Sequence, residues 1–235
     1  MKISQARPAT HQEDIFLDNT VEGLAIAAGI PKPKIYVIDD SAPNAFATGR
    51  DPEHAVICVT TGLMKKMNRV ELEGVIAHEM SHVANYDIRF MMLVTVLVGT
   101  VALMSDIILR SFLWGGKGRK GGGNIALVLI GLVMLILAPL IAALMKMALS
   151  RRREFLADAN GALLTRYPEG LASALEKLKN DKEPLEAANK ATAHLYIINP
   201  LREHKSFLNN LFSTHPPIEE RVKRLRAFGG IKPSD

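Results

Sequence analysis

The apolar and polar positions divide the chain into segments of three kinds. Near the start, Ile15, Val21, Leu24, Ala25 and Ala28 recur at helical spacing. They lie between a capping box, Thr10-His11-Gln12-Glu13, and Gly29, a residue suited to ending a helix. This pattern predicts an amphipathic, core-facing helix of about 18 residues. After the rigid turn Pro31-Lys32-Pro33, short runs rich in β-branched and aromatic residues predict strands over 34–39, 44–49 and 55–60. The last run is apolar throughout and reads as buried on both faces. The middle run, flanked by Pro43 and Gly49, reads as an edge of a small antiparallel or mixed sheet.

A second capping box, Asn68-Arg69-Val70-Glu71, follows a short helical turn opened by Thr61-Gly62. Val70, Leu72, Val75, Ile76, Met80 and Val83 then give the next helix a wide apolar face. Two longer runs are of the third kind. Residues 90–109 carry one charge, Asp106 near the end, and residues 125–145 carry none. Each is long enough to cross about 30 Å of hydrocarbon, so a transmembrane helical hairpin is expected. The basic, glycine-rich stretch 115–123 reads as its flexible connection, Trp114 as an interfacial anchor, and Pro139 as a kink in the second span whose freed carbonyl neighbouring helices can satisfy. Helices resume at Arg151, Pro168 and Pro184, an extended piece covers 194–200, and a basic helix closes the chain over 222–228. No internal repeat is present.

Composition agrees with this segregation. Hydrophobic residues make up 48% of the 235 residues and charged ones 23%, with mean hydropathy +0.11. The single cysteine, Cys58, excludes an internal disulfide and a cysteine-based zinc cluster, and its apolar neighbours predict a buried thiol. The net charge of +5 comes with lysines and arginines beside apolar segments, which favours anionic lipid headgroups over nucleic acid as the partner. No nucleotide-binding motif is present. The first 30 residues hold no uninterrupted apolar stretch, so no signal peptide is expected.

The chemistry centres on His78-Glu79-Met80-Ser81-His82. Histidines at i and i+4 on one helical face can reach a single metal ion, with Glu79 beside them in reach of a water activated there. A catalytic zinc takes three protein ligands and keeps one position open, so a third ligand is needed. The predicted hairpin selects one. If the helix runs on from His82 to Phe90, His82 stands roughly 12 Å above the membrane edge. Glu154, nine residues after Met145, returns to roughly 13 Å above the same face. Asp158, one turn further on, could accept the spare N–H of a ligand histidine.

The motifs H-E-M-S-H (78–82), R-R-R-E-F-L-A-D (151–158), P-N-A-F-A-T-G (43–49) and S-T-H-P-P-I-E-E-R (213–221) together resemble the HtpX-type heat-shock membrane metalloproteases, relatives of the CAAX prenyl endopeptidases. The likeness spans essentially the whole chain, with the motifs in the same order. It implies a gluzincin site with one Zn2+, in which His78, His82 and Glu154 are ligands, Glu79 is catalytic and Asp158 supports a ligand. It also implies that His215 helps to stabilise the oxyanion, that Arg221 braces acidic groups, and that Asn44, Ala45, Phe46 and Ala47 form the substrate-binding edge strand. The implied setting is a multi-pass protein of the cell (inner) membrane with a cytoplasmic catalytic face, acting on unfolded or membrane proteins in quality control. Charge alone does not decide the side, because basic residues are nearly balanced across the hairpin. Such proteins usually carry two further membrane helices upstream. This chain starts without them and is read as a short form or a truncated one.

The expected fold is therefore α+β and mainly helical. A gluzincin-like protease domain with a small three-stranded sheet is divided into 1–89 and 146–235 by an inserted hairpin, 90–145. Two other classes fit the same residues. One is a CAAX-type peptidase acting on lipidated C-termini; the other is a non-catalytic membrane adaptor whose structural zinc is closed by a fourth ligand such as His215.

Overall fold

A computed structural model describes residues 6–9, 15–114, 125–181 and 215–230. The Thr10 capping box, the glycine-rich stretch 115–123, the Pro184 helix and the extended piece 194–200 lie outside the described residues. The first helix, α1 (Ile15–Ala28), buries Leu17, Val21, Leu24 and Ala25. Gly29 ends it with φ +68°, while the Ile30 and Gly29 N–H groups return to the Ala25 and Ile26 carbonyls.

Among the described residues the sheet has four strands, with β1 (Arg7–Pro8) added to the three expected, β2 (Lys34–Ile38), β3 (Ala45–Thr48) and β4 (Val56–Thr60). Two residues ending in proline carry no alternating pattern, which is why the sequence points to three strands and misses the first. The order is β1-β2-β4-β3. β2 and β4 run parallel, and β1 and β3 are antiparallel to their neighbours. β4, apolar up to Thr60, is interior, as its burial pattern requires. The expected edge strand β3 is an edge. Cys58 of β4 is fully buried, and burial pushes its thiol up to about 12.

From β4 the chain enters a short helix, α2 (Thr61–Lys66), capped by the Thr60 hydroxyl. It then enters α3 (Arg69–Ala84), the helix that carries the histidines. Helices α4 (Asp87–Trp114), α5 (Ile125–Thr165), α6 (Pro168–Asn180) and α7 (Ile218–Phe228) follow. α3 packs against α1, α5, α6 and β3 and is buried along most of its length. Two glycines allow that closeness. A Cβ at Gly74 would lie 2.6 Å from the Leu171 nitrogen of α6, and one at Gly161 of α5 would lie 3.0 Å from the His78 nitrogen. Only a residue without a side chain lets those backbones meet.

The second apolar run and the Arg151 helix are one continuous helix, α5, which passes through Pro139, as the height argument for Glu154 requires. The helix carrying His82, by contrast, does not continue to Phe90. It stops at Ala84, and Tyr86 takes φ +56° before α4 starts at Asp87. No proline or glycine marks this break. Among the described residues, one helical stretch, Asp87–Ile108, is long and apolar enough to cross a membrane, with mean hydropathy 2.1 over its most apolar part. α4 packs on α5, but the connection between them lies outside the described residues.

The start of α3 is fastened by Glu71. Its carboxylate accepts from the Asn68 N–H at 2.9 Å, the Ser173 hydroxyl at 2.8 Å and the Lys177 ammonium at 2.6 Å, while the Asn68 side chain accepts from the Glu71 N–H. Burial alone would raise this carboxyl, but these bonds and the Lys177 charge lower it. Glu71→Ala should cost at least about 1 kcal/mol, the usual value of a helix cap. A depressed carboxylate stabilises the fold above the pH at which an unfolded glutamate titrates, about 4.3, and loses that contribution as pH falls through the folded value. The wild-type unfolding midpoint should therefore fall more steeply than that of Glu71→Gln on acidification below about pH 4.3. Parallel curves would contradict the assignment.

Candidate metal centre

α3 is enclosed by the elements packed around it, so most of its polar residues are enclosed with it. His78, Glu79 and Ser81 are buried, His82 is half-buried, and the Ser81 hydroxyl donates to the Ala77 carbonyl. The two histidines, one turn apart, aim Nε2 at Nε2 across 3.2 Å, with rings nearly perpendicular. α5 supplies Glu154 opposite them. Its Oε1 lies 3.4 Å from His82 Nε2, and its Oε2 lies 3.7 Å from His78 Nε2.

This donor set fits a metal ion. Ligand atoms about 2.1 Å from a tetrahedral ion stand about 3.4 Å from one another, close to the Nε2–Nε2 separation and to that between His82 Nε2 and Glu154 Oε1. One ligand atom from each of His78, His82 and Glu154 can be chosen so that all lie within 4.8 Å of one another. Glu154 Oε2 is buried and has no hydrogen-bond partner among the described residues, a costly state that a cation would relieve. Two facing imidazole nitrogens likewise need a proton or a metal between them.

A buried charge network surrounds the set. Asp158 Oδ1 lies 3.0 Å from His78 Nδ1. Arg221, from α7, is 1% exposed and donates to both Asp158 oxygens at 2.7 and 2.8 Å. Another of its nitrogens lies 3.4 Å from Glu154 Oε2. Burial alone would raise Asp158, but the Arg221 guanidinium holds it at about 2. Burial opposes ionisation of Glu154 too, yet the charges of His215, His82 and Arg221 keep it well below the ordinary carboxylate range. His215, at the entrance to α7, brings Nε2 within 3.9 Å of Glu154 Oε1. The two histidines of α3 are pushed apart: burial lowers His78, whereas at His82 the Glu154 and Glu79 carboxylates outweigh burial and raise it.

Glu79 differs from the other carboxylates. Its side of α3 faces β3, where the Ala47 N–H donates to it, and burial pushes it up to about 7. Ala45 and Ala47 belong to the main core, so the α3 side of β3 is lined with small side chains. Phe46 packs on the other side with Ile38, Ala42 and Cys58. Asn44 is buried just before the strand; its Oδ1 accepts from the Ala45 N–H, and its own N–H donates to the Thr60 hydroxyl. Neither the Asn44 nor the Phe46 side chain is thus exposed beside β3, where residues 44–47 are each at most 5% exposed.

His78, Glu79, His82, Glu154, Asp158, His215 and Arg221 come together in one region, with Ala47 of β3 against Glu79, whereas the side chains of Asn44 and Phe46 are turned to other partners. One group was missed. His82 Nδ1 lies 2.8 Å from Asp87 Oδ2, and Asp87 is buried. An acidic residue five positions after the last histidine was a visible signal, but the expectation of an unbroken helix turned it away from the site.

The comparisons with known proteins follow the same line. A model of peptidase family M48 matches residues 11–228. A protein named Protease HtpX homolog from Dictyoglomus thermophilum is 55% identical over 229 residues, covering 97% of this chain and 74% of that protein. One of the same name from Tropheryma whipplei is 50% identical over 227 residues, covering 97% and 77%. Among solved structures, S. mikatae Ste24p matches with a TM-score of 0.61 at 24% identity, a likeness of fold. That match covers 94% of this chain but about half of Ste24p, 52%. A helical fold with a small mixed sheet and a histidine–histidine–glutamate cluster is the framework of a metallopeptidase, and the chain belongs to peptidase family M48. Within that family it is an HtpX-type metalloprotease.

Arg221 is the counter-ion for two buried carboxylates. Arg221→Met should lower stability by about 3–5 kcal/mol, the usual result of stripping one partner from a buried pair. Denaturation of the two proteins in detergent measures it. A loss below about 1 kcal/mol, as for an exposed pair, would contradict the network.

Proposed function

We propose that the chain is a membrane-bound, zinc-dependent endopeptidase. His78, His82 and Glu154 hold the metal, and Glu79 is the catalytic base. Bound zinc supplies a Lewis acid that polarises a peptide carbonyl and makes water nucleophilic at neutral pH. Glu79 takes the proton of the attacking water and passes it to the leaving amine. Its carboxyl, pushed up to about 7 by burial, and its position between β3 and the histidines suit a group that must accept and release a proton. Asp158 accepts from His78 Nδ1–H and so keeps Nε2 available to the metal. Arg221 keeps Asp158 and Glu154 ionised. His215 donates to the developing oxyanion, an interaction of a kind worth a few kcal/mol in the transition state.

The observation that carries the reading is the convergence of one Nε2 from each histidine and a buried, incompletely satisfied Glu154 carboxylate on one point beside Glu79. β3 adds to it. Its outer edge pairs with no other strand among the described residues, so an extended peptide can add there by backbone hydrogen bonds. Such binding is indifferent to sequence, which suits unfolded substrates and a role in clearing damaged membrane proteins.

Membrane residence is supported by the state of the apolar helices. Met92, Leu93, Val96, Leu97, Leu103 and Met104 of α4, with Val133, Ile136, Ile141 and Met145 of α5, are exposed. A soluble protein would bury such a surface, and about 33 Å of helix over 22 residues matches the bilayer. We read α4 and the first half of α5 as a transmembrane hairpin of a cell-membrane protein, with the catalytic domain on the cytoplasmic face and 1–89 and 146–235 as its two halves.

In detergent, Glu79→Gln should retain wild-type zinc and lose casein cleavage by several orders of magnitude, whereas Glu154→Ala should lose zinc as well. Cleavage at the wild-type rate by Glu79→Gln would overturn the base assignment, and full zinc content in Glu154→Ala would overturn the third ligand. Faster cleavage of prenylated C-terminal peptides than of casein would move the substrate to lipidated chains.

A further inference from the structure

The two ligand histidines are held in parallel ways, and only one of the holds lies in the motifs discussed so far. His78 Nδ1 faces Asp158 at 3.0 Å, and His82 Nδ1 faces Asp87 at 2.8 Å. In each case the other ring nitrogen, Nε2, points into the cluster with Glu154. A carboxylate that accepts Nδ1–H fixes the imidazole tautomer with its free lone pair on Nε2.

Asp87 reaches His82 because of the turn after α3. The Asn85 N–H returns to the Ser81 carbonyl and the Tyr86 N–H to the Val83 carbonyl, and Tyr86 sits in the left-handed region at φ +56°. A non-glycine residue is held there at some cost in energy, so the surrounding contacts must favour it. The turn brings the first residue of α4 back over the last turn of α3. Asp87 is also ion-paired with Arg153 of α5, the residue before Glu154. The Arg153 guanidinium donates to the Asn85 carbonyl at 2.9 Å and lies over the Phe90 ring, 5.4 Å from its centre. One buried carboxylate thus touches a ligand on α3 and a neighbour of a ligand on α5, and it stands at the head of the apolar helix.

We propose that Asp87 is a positioning residue of the metal centre. It holds His82 in the metal-binding tautomer, Arg153 fixes Asp87 in turn, and the start of α4 is thereby built into the site. The inference rests on the reading of His82 as a metal ligand. It adds that metal affinity depends on how α4 leaves α3. Displacing α4 separates Asp87 from His82 and weakens the site with every ligand still present.

The test uses the full chain in detergent micelles. Zn2+ affinity is measured by competition with a chromophoric chelator, and the visible spectrum of the Co2+-loaded protein reports ligand geometry. Wild type, Asp87→Asn, Asp87→Ala and His82→Ala are compared, with metal-free melting curves recorded alongside. Asp87→Ala should bind zinc about 10–100-fold more weakly, and the near-isosteric Asp87→Asn should fall between it and wild type, with altered Co2+ bands in both. A merely structural brace would lower the metal-free melting temperature and leave affinity and spectrum unchanged, which would overturn the proposal. If Asp87→Ala does not fold, Asp87→Asn decides alone: wild-type affinity and spectrum overturn the proposal, and weakened binding supports it. Wild-type zinc affinity in His82→Ala would overturn the metal-site reading and this inference with it. Loss in His82→Ala with no change in either Asp87 variant would overturn this inference only.

Discussion

Everything at the site follows from burying charge inside a closely packed helix. α3 lies against helices on several sides and a strand on another, yet carries two imidazoles and a carboxylate. Isolated charges in such a place cost far more than the fold can spare, so they persist only when opposing charges face them. Arg221 supplies that charge to Asp158 and Glu154, and Arg153 supplies it to Asp87. The carboxylates in turn orient the histidines. A divalent cation would complete the balance at the point where the donors still face one another.

Close packing makes this arrangement stiff. Gly161 lets α5 approach the backbone of His78, and Glu154 and Asp158 lie on the same face of α5, two turns and one turn before it. Because α5 runs on without interruption through the apolar segment, Glu154, the proposed third ligand, is rigidly connected to the part proposed to face lipid. His82 is connected to the other apolar helix through Asp87. In the proposed membrane-bound form, a metal site held in this way would sense both helices of the hairpin and give the bilayer a physical route to the chemistry.

Much of this was legible in the sequence because the signals are local. The Asn68–Glu71 capping box, the i, i+4 histidines and the Pro43–Gly49 edge strand each depend on neighbours a few residues away, and each recurs in the structure. Glu154 was found by a length argument that needed the second helix to be unbroken, which it is. The same argument assumed an unbroken helix after His82. The chain instead turns at Tyr86 without proline or glycine, because the contacts of Asp87 with His82 and Arg153 compensate for a strained backbone. Such contacts span up to 66 positions, between 87 and 153, and leave no periodic trace. Arg221 was likewise hidden, its partners being on another helix, and entered only through the resemblance of the S-T-H-P-P-I-E-E-R stretch. The two-residue β1 is too short to carry any pattern.

The central claim is that two imidazoles and one carboxylate hold a zinc ion, with a coordination position left for substrate. Zinc K-edge X-ray absorption on the purified, zinc-loaded chain tests it most directly. The account predicts a shell of nitrogen and oxygen atoms at about 2.0–2.1 Å, with two imidazoles in the outer-shell pattern and no sulfur. Three imidazoles, with His215 closing the site, or a sulfur ligand would contradict it.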